Sequence, residues 1–113
     1  AVMAQGDVVN GEKIFKKCAA CHSINKGGAN KIGPALYNVV GRKVGGVNDY
    51  KYSKTLSSYD KEWTFEELNG FLTKPSSYLK GTKMSYAGLR KEKDRASVIK
   101  YLNQNSDNPK LLP

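Results

Sequence analysis

The chain has 113 residues, 39% of them hydrophobic, and a formal net charge of +9 from 19 Lys and Arg against 10 Asp and Glu. That length argues for one domain over 1–113 with a small core, and no apolar run approaches the ~20 residues of a membrane-crossing helix. The basic residues are spread along the chain and no recognition motif accompanies them, so nucleic acid is excluded in favour of an acidic protein partner.

Ala1 to Gln5 has neither the basic start nor the apolar stretch of a signal peptide, and an initial Ala fits a processed mature chain. Asp7 is placed to cap a helix over 7–18. Val8, Gly11, Phe15 and Cys18 stand at i, i+3, i+7 and i+10 on one face of it. A mid-helix glycine costs about 1 kcal/mol against alanine. Gly11 is therefore expected to admit a second backbone, with Phe15 anchoring the contact one turn on. Residues 25–30 are rich in turn formers and read as a loop. Pro34, after Gly33, fixes the chain direction and offers a carbonyl with no N–H. From Ala35 to Ser53 no period is sustained, which is tolerable if the stretch lies against a ligand that substitutes for core.

Ser53 to Tyr59 reads as a short helix with Leu56 inward. Thr64 to Thr73 reads as a helix: Thr64 and Glu67 form a capping box, and Phe65, Leu68, Phe71 and Leu72 form its apolar face. Lys74-Pro75 ends it, and a further turn is expected through Leu79. Lys80 to Arg90 is a loop. Lys91 to Asn105 is the closing helix, with Glu92 and Asp94 at its positive end and Val98, Ile99 and Leu102 as its buried stripe. Residues 1–5 and 106–113 are expected to be loose tails, and no segment alternates as a strand.

The chemistry centres on Cys18-Ala19-Ala20-Cys21-His22. Cysteines three positions apart lie about one turn from each other in a helix, so both sulfurs can meet one edge of a flat ligand. C-x-x-C-H is the attachment pattern of c-type haem, with thioethers to both cysteines and the histidine on the iron. A dithiol redox pair would want a βαβ context, and zinc needs more ligands than two Cys and one His supply. Two methionines are present: Met3, in the expected tail, and Met84, in the polar loop Gly81-Thr82-Lys83-Met84-Ser85-Tyr86. A core-filling methionine sits among apolar neighbours on a helix face. Met84 does not, and a soft thioether suits ferrous iron and raises its potential.

These residues recur with Gly6-Asp7, Gly11, Phe15, Gly33-Pro34-Ala35-Leu36, Gly41-Arg42-Lys43, Tyr52-Ser53, Trp63, Lys74-Pro75, Ala87-Gly88 and Tyr101-Leu102. In that order and spacing the chain resembles the class I c-type cytochromes, mitochondrial cytochrome c and its soluble alphaproteobacterial relatives among them, from about Gly6 to Asn105. The resemblance implies a small all-α fold in which N- and C-terminal helices cross, Gly11 and Phe15 meeting Val98 and Tyr101, with short helices and loops wrapped around one covalent haem c. It implies His22 as proximal ligand, its other ring nitrogen donating to the Pro34 carbonyl, and Met84 as distal ligand. Arg42, Tyr52, Trp63 and Thr82 match donors to the haem propionates, whose burial is costly unless they are paired.

Departures from the family pattern are Phe71 where many relatives carry a Tyr, Lys80 for a Pro, Ser76 and Ser77 for lysines, Asn30 for a His that ties two loops, and a shorter gap from Phe15 to Cys18. Lys16, Lys17, Lys31, Lys83, Arg90 and Lys91 match positions around the exposed haem edge and would steer acidic redox partners. The implied role is a diffusible, non-enzymatic one-electron carrier in a respiratory chain, monomeric, between a cytochrome bc complex and an oxidase, reaction centre or reductase. Such a chain works in the bacterial periplasm or the mitochondrial intermembrane space. Association with a membrane surface, or tethering of a longer chain to one, is compatible with the same charge.

Overall fold

The computed structural model describes residues 6–16, 18, 19, 22–31, 33–47, 50, 52, 56, 59, 61–78, 88–107, 109 and 110. Among these the regular elements are α1 (Val8–Phe15), α2 (Phe65–Thr73), the single turn α3 (Pro75–Tyr78) and α4 (Glu92–Gln104). The all-α expectation is borne out: no strand occurs among the described residues, only an isolated antiparallel bridge between Lys43 and Glu62.

Asp7 caps α1 as anticipated, its carboxylate accepting the Val9 N–H at 3.0 Å. The helix stops at Phe15, short of the expected Cys18, because the Lys16 N–H turns back to the Lys13 carbonyl and the chain tightens into turns. A Cβ on Gly11 would strike the Ser97 carbonyl oxygen and lie 3.0 Å from Tyr101 Cβ. Only a hydrogen there lets α1 and α4 cross backbone to backbone. Phe15, 5% exposed, sets its ring 5.5 Å from that of Tyr101. Buried Ser97 stitches the crossing: its hydroxyl accepts the Asp7 N–H at 3.0 Å and donates to the Lys93 carbonyl at 2.8 Å.

Thr64 caps α2, accepting the Glu67 N–H at 3.1 Å. The predicted reciprocal bond is not made. The Thr64 N–H goes to the Glu62 carbonyl, and the Glu67 carboxylate accepts the phenols of Tyr59 at 3.0 Å and Tyr78 at 2.8 Å. Leu68, Phe71 and Leu72 face inward and join Trp63, Phe15 and the α4 residues Val98, Ile99 and Leu102 in one core. Lys74 is extended and Pro75 opens α3, the break that the Lys-Pro pair predicted.

The described part of the aperiodic stretch, 35–47, has more support than expected. It puts Val39, Val40 and Val44 into the core and pairs with 61–63, through Gly41 N–H to Trp63 carbonyl (2.7 Å), Trp63 N–H to Arg42 carbonyl (2.8 Å) and Val44 N–H to Lys61 carbonyl (2.8 Å). Turns at Asn38, Gly41 and Gly45, each at positive φ, break every helix or strand period, so the pattern was invisible. Of the predicted helix Ser53–Tyr59, Leu56, with helical backbone, and Tyr59 pack against the core; the rest of it, Leu79 at the end of the expected turn, and residues 80–87 of the expected loop lie outside the described residues.

The stretch from Ser106, expected to be loose, is tied down where it is described. Ser106 Oγ and the Asp107 N–H donate to Asn38 Oδ1 at 2.9 and 2.7 Å, and Asn38 Nδ2 donates to Asp107 Oδ2 at 3.0 Å. Asn103 and Lys110 exchange two bonds of 2.9 Å. Polar side chains bonding to backbone and to one another do this work, so no apolar signal announces it.

Candidate cofactor site

The turn after α1 presents the attachment segment. The Phe15 carbonyl accepts the N–H groups of both Cys18 (2.7 Å) and Ala19 (2.9 Å), and the His22 N–H donates to the Cys18 carbonyl at 2.9 Å. Cys18 and His22 are thus linked by one α-type turn, and half-buried Cys18 packs against the core. Cys21 lies outside the described residues. Among the described residues no three His, Cys, Asp or Glu side chains converge as a protein-only metal cage would require.

His22 is fixed from two sides. A Cβ on Gly33 would strike Cε1 of the imidazole, so the glycine is what lets the ring lie against the backbone. Nδ1 lies 2.7 Å from the Pro34 carbonyl oxygen, the contact that the resemblance implied. That oxygen can only accept, so Nδ1 carries the proton and Nε2 keeps its lone pair for a metal. Burial holds the His22 pKa below its ordinary value; the Pro34 bond opposes this and the Arg42 charge adds to it. The ring is therefore neutral at neutral pH, the form a metal needs.

Arg42 Nη1 donates to the carbonyls of Ala35 (2.9 Å) and Tyr37 (3.4 Å), while its Nε is buried with no partner among the described residues. Burial pulls the guanidinium below its usual range, and the Tyr52 hydroxyl beside it opposes the shift. Tyr52 also accepts the Val47 N–H at 3.1 Å. A buried cationic donor left unpaired is expensive, and a carboxylate such as a haem propionate would satisfy it. The residues present fit that group on this observation. Trp63 is buried, its ring 5.1 Å from Phe71, so Phe71 serves as packing against it. Thr82 and Met84 lie outside the described residues, as do Lys17 and Lys83. Of the remaining expected docking residues, Lys16, Arg90 and Lys91 are exposed; Lys31 is exposed too, and its Nζ reaches the Ala19 carbonyl at 3.0 Å.

The family model for cytochrome c matches residues 8–106. This chain belongs to the cytochrome c family. A cytochrome c of Gibberella zeae is 44% identical over 92% of this chain and 99% of its own length. Cytochrome c homologs of Bradyrhizobium diazoefficiens and Rickettsia typhi are 42% and 50% identical over 99% and 89% of this chain. The chain spans only 61% and 58% of those two bacterial relatives. The solved structure of cytochrome cH from Methylobacterium extorquens matches with a TM-score of 0.82 at 36% identity, covering 88% of this chain and 99% of its own. Covalent haem c is the cofactor of cytochromes c, and electron transport is the work of the family.

Three residues go beyond the sequence reading. Asn30, which the resemblance marks only as a departure from a loop-tying His, makes a tie of its own: its Oδ1 accepts the Ala35 N–H at 2.8 Å across the Gly33-Pro34 turn, and Ser23 Oγ donates to the Ala29 carbonyl at 2.7 Å. Arg95 stands at i of the stripe that continues with Val98, Ile99 and Leu102, and it is buried with them. The helical period contained that signal; the charge concealed it.

Proposed function

We propose that the chain is a non-enzymatic one-electron carrier that holds haem c through Cys18 and Cys21, with His22 and Met84 as axial ligands. The observation that carries the reading is the His22 imidazole, half-buried, kept neutral and locked to the Pro34 carbonyl with its other nitrogen left for a metal. When bound, haem c supplies an iron that alternates between ferric and ferrous. Gly33 and Pro34 keep the imidazole from turning, so it stays in place whichever charge it faces. Arg42, Tyr52, Trp63 and Thr82 would donate to the propionates, and Met84 would supply a soft second ligand, which raises the potential. With His22 and Met84 both holding the iron, these residues would favour electron transfer over peroxide or gas chemistry.

Lys16, Lys17, Lys31, Lys83, Arg90 and Lys91 orient the site toward acidic partners. The donor is a cytochrome bc complex and the acceptor an oxidase, reaction centre or reductase, in the bacterial periplasm or the mitochondrial intermembrane space. The test is chemical. Unfolded in a thiol alkylator, the haem-bound protein leaves Cys18 and Cys21 unmodified and keeps its haem, and potentiometric titration of the native protein gives a single one-electron wave. Two alkylated cysteines, or haem that extracts into acidic solvent, would reject the attachment.

A further inference from the structure

Among the described residues Arg95 is the only charged side chain buried to 8% exposure. It stands on α4, yet its bonds lead elsewhere. Nε donates to Asn69 Oδ1 on α2 at 2.7 Å, and Nη1 donates to two successive carbonyls, Leu89 at 2.9 Å and Arg90 at 3.0 Å. No carboxylate of a described residue pairs with it. Burying a guanidinium this way is costly, and a hydrocarbon of equal volume would pack as well. What a hydrocarbon cannot do is hold two consecutive carbonyls in one orientation, which the rigid fork of Arg does. The segment so held is also pinned to the end of α2: the Leu89 N–H donates to the Leu72 carbonyl at 2.7 Å, and a Cβ on Gly88 would strike the Thr73 carbonyl. Leu89 follows Met84 closely in the chain, so this clamp holds the segment that comes directly after residues 79–87.

We infer that Arg95 is a positioning residue for the Met84 ligand, fixing the C-terminal root of its loop so that the thioether stays on the iron. The inference rests on the ligation reading under Proposed function. Its test is displacement of Met84 from the ferric haem-bound protein by imidazole, followed through the weak thioether-to-iron absorption band. The variants are Arg95→Lys, which keeps the charge and loses the fork, and Asn69→Leu, which removes one arm of the clamp. Ile99→Val, fully buried on the same helix, is the control for lost global stability. Arg95→Lys is expected to bind imidazole about tenfold more tightly than wild type. Asn69→Leu shifts in the same direction by less, and Ile99→Val stays within about twofold even where its global stability falls comparably. If Arg95→Lys does not fold, Asn69→Leu against Ile99→Val decides. Equal imidazole affinity in clamp variants and control would overturn the positioning role and leave Arg95 as a fold staple. Absence of the band in wild type would instead remove Met84 as the ligand, and the inference with it.

Discussion

Gly11→Ala changes sign according to whether helix propensity or the α1–α4 crossing governs the position. Propensity alone rewards the alanine by about 1 kcal/mol. The crossing opposes it. The new methyl would lie 2.6 Å from the Ser97 carbonyl carbon and 3.0 Å from Tyr101 Cβ, and its nearest obstacle is the Ser97 carbonyl oxygen, backbone that no rotamer change can move. Carbon pairs settle at ~3.5–4.0 Å, so the helices must part by roughly 1 Å, enough to forfeit a quarter to a half of the dispersion at the contact. The Phe15–Tyr101 ring pair and the Asp7 N–H bond to Ser97 open with it. Overpacking costs ~1–3 kcal/mol and a loosened hydrogen bond about 1 more, leaving a net loss of roughly 1–3 kcal/mol after the propensity gain. Each kcal/mol lowers the melting temperature by about 4–8 °C in a domain near this size. Denaturant titration of the haem-bound protein, followed by circular dichroism, measures it, and Gly11→Val should lose more than Gly11→Ala. A Gly11→Ala protein at least as stable as wild type would refute the backbone contact.

Three further outcomes follow from named contacts. The hydrogen bond from Asn38, then Lys26 and Tyr37, holds the Asp107 carboxyl below its ordinary 3.8. Its contribution to stability is therefore present above the unfolded value and lost as pH falls through the lower folded one. NMR titration should find Asp107 below 3.8 and Asn38→Ala raising it; an unchanged value would remove the latch. Burial, followed by the bond to Glu67, raises the Tyr78 phenol well above its ordinary 10.0, so in an alkaline absorbance titration Glu67→Gln should bring it part of the way back. Electron-transfer rate with an acidic redox protein should fall as salt rises from ~0.01 to ~0.15 M, because the Debye length shrinks from ~30 to ~8 Å. A flat stopped-flow profile would dismiss steering by the lysines.

How far the chain could be read beforehand depended on the kind of signal each residue leaves. Thr64, Lys74-Pro75 and the stripe Val98, Ile99, Leu102 report local preference and period, and α2 and α4 fell within a residue or so of expectation. Gly11 was legible because a glycine inside a helix face needs a reason. Val39, Val40 and Val44 were not, because positive-φ turns at Asn38, Gly41 and Gly45 carry them inward with no period at all. The Asn38–Asp107 latch, the Asn30 brace and the Glu67 phenol pair are side-chain bonds between distant or irregular segments, and such bonds have no one-dimensional pattern. At the site, the C-x-x-C-H run alone pointed to haem, while the Pro34 partner of His22 came from family resemblance and the unpaired Nε of Arg42 from the structure.

The most direct measurement is the ferric spectrum and midpoint potential of Met84→Ala beside wild type. Two-sided ligation by His22 and Met84 predicts that the variant loses the thioether band, turns partly high-spin and drops in potential, a soft donor having been removed from the iron. An unaltered spectrum and midpoint would contradict it.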